Sequence, residues 1–142
     1  MCIRTYLRFK ADYPIPQPGQ SGAGEITTAL AAGLRARGFA SSEPEDQEFA
    51  HFFRCRSGSR EYEIMAAFDF VEGDSWEVNC PPTLGFFPRL LGKTEEKELS
   101  SLIGAIHAVM QSNSRVKEML WYTSSGGKSN GSPDPIQSAY PY

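Results

Sequence analysis

Cysteine and histidine are both scarce in this chain. Cys2, Cys55 and Cys80 are its three cysteines, and no C-x-x-C pair occurs. A secreted disulfide framework would use an even count, so free thiols in a reducing cytoplasm are the expectation. Two histidines, His51 and His107, leave little for acid–base work, and no serine has the G-x-S-x-G context of a nucleophile elbow. His51, Cys55 and Cys80 can share one strand face, but without paired ligand spacing they read as core thiols and a half-buried histidine. No metal and no cofactor is therefore expected. Long apolar runs are missing too: nothing approaches the roughly 20 residues that cross a bilayer. The first residues alternate charged with apolar side chains, unlike the continuous apolar core of a signal peptide. Charge of one sign is also lacking. The 14 basic and 17 acidic residues leave a net charge of -3, which gives no net attraction to nucleic acid or anionic lipid.

What is present suits one folded domain. The chain has 142 residues, of which 40% are apolar and 12% aromatic. That length and composition can bury a single core and are too apolar for disorder. Residues 2–9 alternate, with Ile3, Leu7 and Phe9 on one side and Arg4, Tyr6 and Arg8 on the other, which predicts a strand. A Pro- and Gly-rich connection through Pro14, Pro16, Pro18 and Gly19 follows. Ile26, Ala29, Leu30, Gly33 and Leu34 then form a helical stripe, with Glu25 at its start, Arg35 and Arg37 at its end, and Gly38 placed as the residue after the cap. Gly33 within the stripe predicts close packing against a sheet.

From residue 48 the period changes to two. Phe49, His51, Phe53 and Cys55 share one face; Tyr62, Ile64, Ala66, Phe68 and Phe70 share the next. A turn at Ser57-Gly58 would pair Phe53 with Tyr62 and His51 with Ile64, and set Arg54 opposite Glu61. Trp76, Val78 and Cys80 make a third strand, reached by a loop of odd length and ended by Pro81 and Pro82. An apolar connector over residues 83–92 leads to a second helix, capped by Thr94 and striped by Leu99, Leu102, Ile103, Ile106, Val109 and Met110. Val116 to Tyr122 reads as a last strand. The expectation is an α+β two-layer sandwich, two helices on one face of a mostly antiparallel sheet, in the order β-α-β-β-β-α-β over residues 1–122. Residues 123–142, rich in Gly, Ser and Pro, read as a surface tail.

Few segments carry chemistry. Gly126, Gly127, Lys128 and Ser129 look like the end of a P-loop, but Tyr122 stands where the motif needs Gly, and no helix can follow. Gly19 to Gly24 precedes a helix but follows no strand, so it reads as a helix-entry loop. Arg4, Arg8, Arg54 and Arg56, with Tyr6 and Phe52, could line one sheet face for single-stranded nucleic acid, although Glu61 and Glu63 stand across from part of it. Glu43, Glu45, Asp46 and Glu48 place four carboxylates within six residues. They read as a solvated loop or as an electrostatic landing site for a basic protein. Met119 and Trp121, opposite in phase to Leu120, are expected to be exposed and available to an interface.

Gly24, Glu25 and Ile26 followed by Leu30, Leu34, Gly38 and Phe39, then the alternating strands to Trp76, and finally Val116 with Leu120, Trp121 and Tyr122, resemble a group of small bacterial α+β proteins, and similar short domains occur among immunity proteins. That resemblance implies a cytoplasmic, non-enzymatic domain that binds and silences a toxin, and it implies no catalytic residues. The expected binding residues are Glu43, Glu45, Asp46, Glu48, Met119 and Trp121. The alternatives are a small-molecule enzyme or ligand-binding protein with a pocket between sheet and helices, and single-stranded nucleic-acid binding on the Arg face. Homodimerisation through an edge strand is compatible with each.

Overall fold

The structure is a computed structural model, and it describes residues 3–80, 93–122 and 139–141. The described residues form nine elements in chain order: β1 (Tyr6–Ala11), α1 (Gly24–Ala36), β2 (Ala40–Ser41), β3 (Glu45–Asp46), β4 (His51–Ser57), β5 (Arg60–Asp69), β6 (Ser75–Asn79), α2 (Lys93–Ser112) and β7 (Val116–Tyr122). All seven strands join one sheet in the order β2-β4-β5-β6-β1-β7, with β3 also paired to β4. Every pairing is antiparallel. The fold is α+β, as the patterning predicts, with two short strands, β2 and β3, added at one edge.

One core joins the layers. Leu7 and Phe9 of β1, Phe53 and Cys55 of β4, Tyr62, Ile64, Ala66 and Phe68 of β5, and Trp76 and Val78 of β6 are buried with Ile26, Leu30 and Leu34 of α1 and Leu99, Leu102, Ile103 and Met110 of α2. Alternate strand residues therefore face two helices on a single side. Burying each large side chain contributes roughly 1.5–3 kcal/mol, which makes this layer contact the main support of the fold.

The buried face of helix α1 is turned slightly from its expected stripe. Ile26, Leu30 and Leu34 are buried as predicted, but Thr27 and Ala31 complete the face and Ala29 is exposed. The Thr27 hydroxyl satisfies itself by donating to the Ala23 carbonyl at 2.8 Å, so its burial leaves no orphan donor. Gly33 packs against α2 rather than the sheet: a Cβ there would meet Val109 at 2.5 Å. The helix ends as its sequence predicts. Gly38 takes φ 95°, and its N–H donates to Arg35 O while the Phe39 N–H reaches back to Leu34 O, each at 3.0 Å. That pair of bonds is the Schellman motif.

The β4–β5 hairpin keeps the expected faces but not the expected partners. Phe53 pairs with Ile64, Cys55 with Tyr62, and Ser57 with Arg60, so the two-residue turn is Gly58-Ser59, one residue later. The register differs by two, which preserves which face is buried. Arg54 now stands across from Glu63 and reaches Glu61 diagonally at 3.9 Å. The β5–β6 loop brings Phe68 opposite Trp76, their rings 4.8 Å apart. Its odd length is the one predicted.

Two other details differ. Thr94 already lies inside α2, which starts at Lys93. Phe70 falls beyond the end of β5 and is 46% exposed, against Phe68. Near the end of the chain, Pro141 is buried, and its carbonyl accepts from the Arg4 N–H at 2.8 Å. The apolar connector over 83–92, Cys2, and the Lys128 region lie outside the described residues.

Candidate partner-binding edge

The acidic run occupies one edge of the sheet. Ala40 and Ser41 pair with Arg56 and Cys55, then Glu45 and Asp46 pair with Phe52 and His51. Between them Pro44 has no N–H to give to a ladder. Ser42 bridges the gap: its N–H donates to Arg54 O at 2.8 Å, and its hydroxyl accepts from the Arg54 N–H at 2.9 Å. The run is thus held extended against β4, whereas the sequence pattern reads as a solvated loop. An interrupted, charged edge of this kind also resists unspecific strand pairing.

Beyond Asp46 the chain reverses in a tight turn. The Gln47 N–H donates to Ala50 O at 2.8 Å, and the Glu48 N–H donates to Asp46 Oδ1 at 2.9 Å. Glu48 takes φ 63°, a left-handed conformation uncommon for a residue with a Cβ. Its consequence is positional. Phe49, expected in the core by strict alternation, is 73% exposed at the tip of the turn. Glu43, Glu45, Asp46 and Glu48 are all exposed around it. Glu43 has one ion partner, Arg35 at 3.7 Å, a surface pair worth little.

His51 lies at the base of this hairpin. A short hydrogen bond joins its Nδ1 to Ser21 Oγ, and that same oxygen accepts from the Ala23 N–H at 3.2 Å. The Ser21 hydroxyl thereby ties the ring to the segment that enters α1. Ser21 is 1% exposed, so it positions the ring and is no accessible nucleophile. A groove of about 740 Å³ opens beside them between α1 and the edge segment, bordered by Glu25, Thr28, Ala29, Pro44, Asp46 and His51. Among the described residues, the core side chains lie between the sheet and the helices.

Met119 and Trp121 do not join this surface. Trp121 is 1% exposed and Met119 packs against the core, contrary to the expected exposure. The cause is a bulge: the β1–β7 register shifts between Arg8 and Lys10, where Glu118 takes φ 54°. One extra residue moves the phase, so Val116, Met119 and Trp121 all turn toward the core. Trp121 Nε1 donates to His107 Nδ1 at 2.9 Å. Burial lowers the His107 pKa below its ordinary 6.5, which favours the neutral ring that this bond requires. The two groups of expected binding residues also stand at opposite edges of the sheet, β3 at one and β7 at the other.

Cys55 and Cys80 are buried free thiols, and desolvation raises the pKa of both, the reverse of a reactive thiolate. Among the described residues, no three His, Cys, Asp or Glu side chains form a group fit to hold a metal, and no helix is long and apolar enough to cross a membrane. Among the described residues, the arginines of the expected nucleic-acid face that lie on β1 and β4 make no continuous patch. Arg8 pairs with Asp69 and reaches Glu72 at 3.9 Å, Arg54 and Arg56 face Glu63 and Glu61, and strands β5 and β6 separate β1 from β4. No protein-family model matches the chain, and no curated protein or solved structure matches it. The fold and this edge define a two-layer α+β domain with an acidic, aromatic-tipped hairpin.

Proposed function

We propose that this chain is a non-enzymatic protein-binding domain that captures a basic partner on its acidic edge, acting as an immunity protein that sequesters a cognate toxin. One observation carries the reading: Phe49 is held 73% exposed on a hydrogen-bonded turn among exposed Glu45, Asp46 and Glu48. An aromatic anchor ringed by charge is the arrangement that dominates binding energy at interfaces, and the carboxylates add steering toward a basic surface. The resemblance to immunity-type domains supplies the toxin as the partner class. Met119 and Trp121 have no part in this surface.

The test is capture from a lysate of the source organism by immobilised wild-type chain and by a variant with Glu43, Glu45, Asp46 and Glu48 each changed to Lys. The expected result is a basic protein retained in stoichiometric amount at low salt by the wild type alone, with toxin activity when purified. Equal retention by both proteins would remove the edge from consideration. A second reading, small-ligand binding, rests on the groove beside His51; a small molecule released from the purified chain by acid extraction would favour it.

A further inference from the structure

The acidic hairpin has a counterpart on the same molecule. At the opposite end of β4, a groove of about 410 Å³ lies between the end of α1, the β4–β5 turn and α2. Its border carries Arg37, Arg56 and Lys97, all exposed, with Phe39 half-buried beside them. The carboxylate on that border, Glu98, is already engaged: it accepts from the Ser59 N–H at 3.1 Å and from the Ser59 hydroxyl at 3.2 Å; Glu61, across the ladder from Arg56, reaches Arg54 at 3.9 Å. Three cations thus surround an opening that is cationic on balance and has an aromatic wall.

We propose that the Glu48-Phe49 tip of one copy docks into this groove on a second copy, so that the domain associates head to tail with itself. Phe49 enters beside Phe39, while Glu45, Asp46 and Glu48 meet Arg37, Arg56 and Lys97. A single copy cannot make the contact internally. The tip precedes His51 and the groove follows Ser57, so the seven residues of β4 hold them about 20 Å apart. Because the two patches differ, the contact is heterologous: each pair keeps one free tip and one free groove, and further copies can add. The contact area of one hairpin tip is small, so association is weak, concentration-dependent and suppressed by salt. Self-docking also covers the surface assigned above to a foreign partner, which such a partner must displace.

The purified full-length chain decides the matter without any foreign partner. Sedimentation velocity over a concentration series is expected to show a weight-average mass rising with concentration in about 20 mM salt and returning to monomer in about 500 mM. Glu45→Lys with Glu48→Lys in the tip, or Arg37→Glu with Lys97→Glu in the groove, should each leave a folded monomer. Mixing those two variants should restore association, because the unaltered tip of one meets the unaltered groove of the other and the reversed tip matches the reversed groove. Phe49→Ala should weaken wild-type association at least tenfold. A wild type that stays monomeric at low salt, or two variants that remain monomeric when mixed, overturns the proposal. Either failure leaves the capture of a foreign basic protein untouched, since that experiment reads a different species.

Discussion

The two glutamates at Glu48 and Glu118 set up opposite outcomes at opposite edges of the sheet. Each takes a positive φ, and among the described residues they are the two non-glycine positions that do so. At Glu118 the extra residue of a bulge turns Trp121 inward, where it is 1% exposed and bonded to His107. At Glu48 a tight turn ends the alternation of β4 and leaves Phe49 73% exposed. The same backbone device hides one aromatic residue and displays another. Aromatic residues near strand ends therefore cannot be assigned by phase alone; the backbone just before them decides whether they support the fold or face a partner.

The sharpest way to break this comparison is to truncate both aromatics. Trp121→Ala should destabilise the domain by about 3–5 kcal/mol in urea unfolding, the range for a large buried side chain. Phe49→Ala should stay within about 0.5 kcal/mol of wild type. Similar losses from both would contradict the burial difference. A smaller effect comes from the two strained positions. Glu48→Gly and Glu118→Gly should each stabilise by about 1 kcal/mol, because relief of a left-handed conformation exceeds the entropy that glycine adds to the unfolded chain. Thermal denaturation reads the sign. Gly33→Ala sharpens the account of the core: the gained helix propensity should be outweighed by the clash with Val109, giving a net loss of about 1 kcal/mol, with Val109→Ala restoring stability.

The smallest effect is the pH dependence at the Trp121 edge. His107 has a pKa below its ordinary 6.5 in the fold. The unfolded chain therefore binds the proton more readily, and stability rises with pH across the window from the folded pKa up to 6.5. It is fully present above that value and is lost as pH falls through the window. The ring faces Trp121 from β7 and Tyr140 near the end of the chain, both uncharged side chains. In unfolding midpoints measured from pH 7.5 to 5, roughly the His titration range, His107→Gln should flatten the slope while keeping an acceptor for Trp121 Nε1.

Much of this architecture was legible in the order of residues. The stripe from Ile26 to Leu34, the alternation through Phe53 and Ile64, the odd β5–β6 loop and the Gly38 helix stop are local signals that the three-dimensional structure obeys. The hairpin register was open because Ser57-Gly58 and Gly58-Ser59 turns bury the same faces; Glu98, from a distant helix, binds the Ser59 N–H of the observed one. Strands β2 and β3 were illegible because their hydrogen bonds depend on Ser42 bridging past Pro44 to β4. The acidic run itself was visible, and Gln47 to Ala50 offered no glycine to announce the turn that exposes Phe49. Ser21 gave no signal at all, since its link to His51 spans 30 residues.

The central claim is that the Phe49 tip meets a basic protein. A photoreactive benzophenone side chain placed at position 49, and separately at Val71, which is 95% exposed, tests it by irradiation in lysate of the source organism. The account predicts one saturable crosslink to a basic protein from position 49, absent from position 71 and abolished when Glu45, Asp46 and Glu48 are reversed to Lys. The same crosslinks from both positions, or a crosslink from position 49 that survives charge reversal, would contradict it.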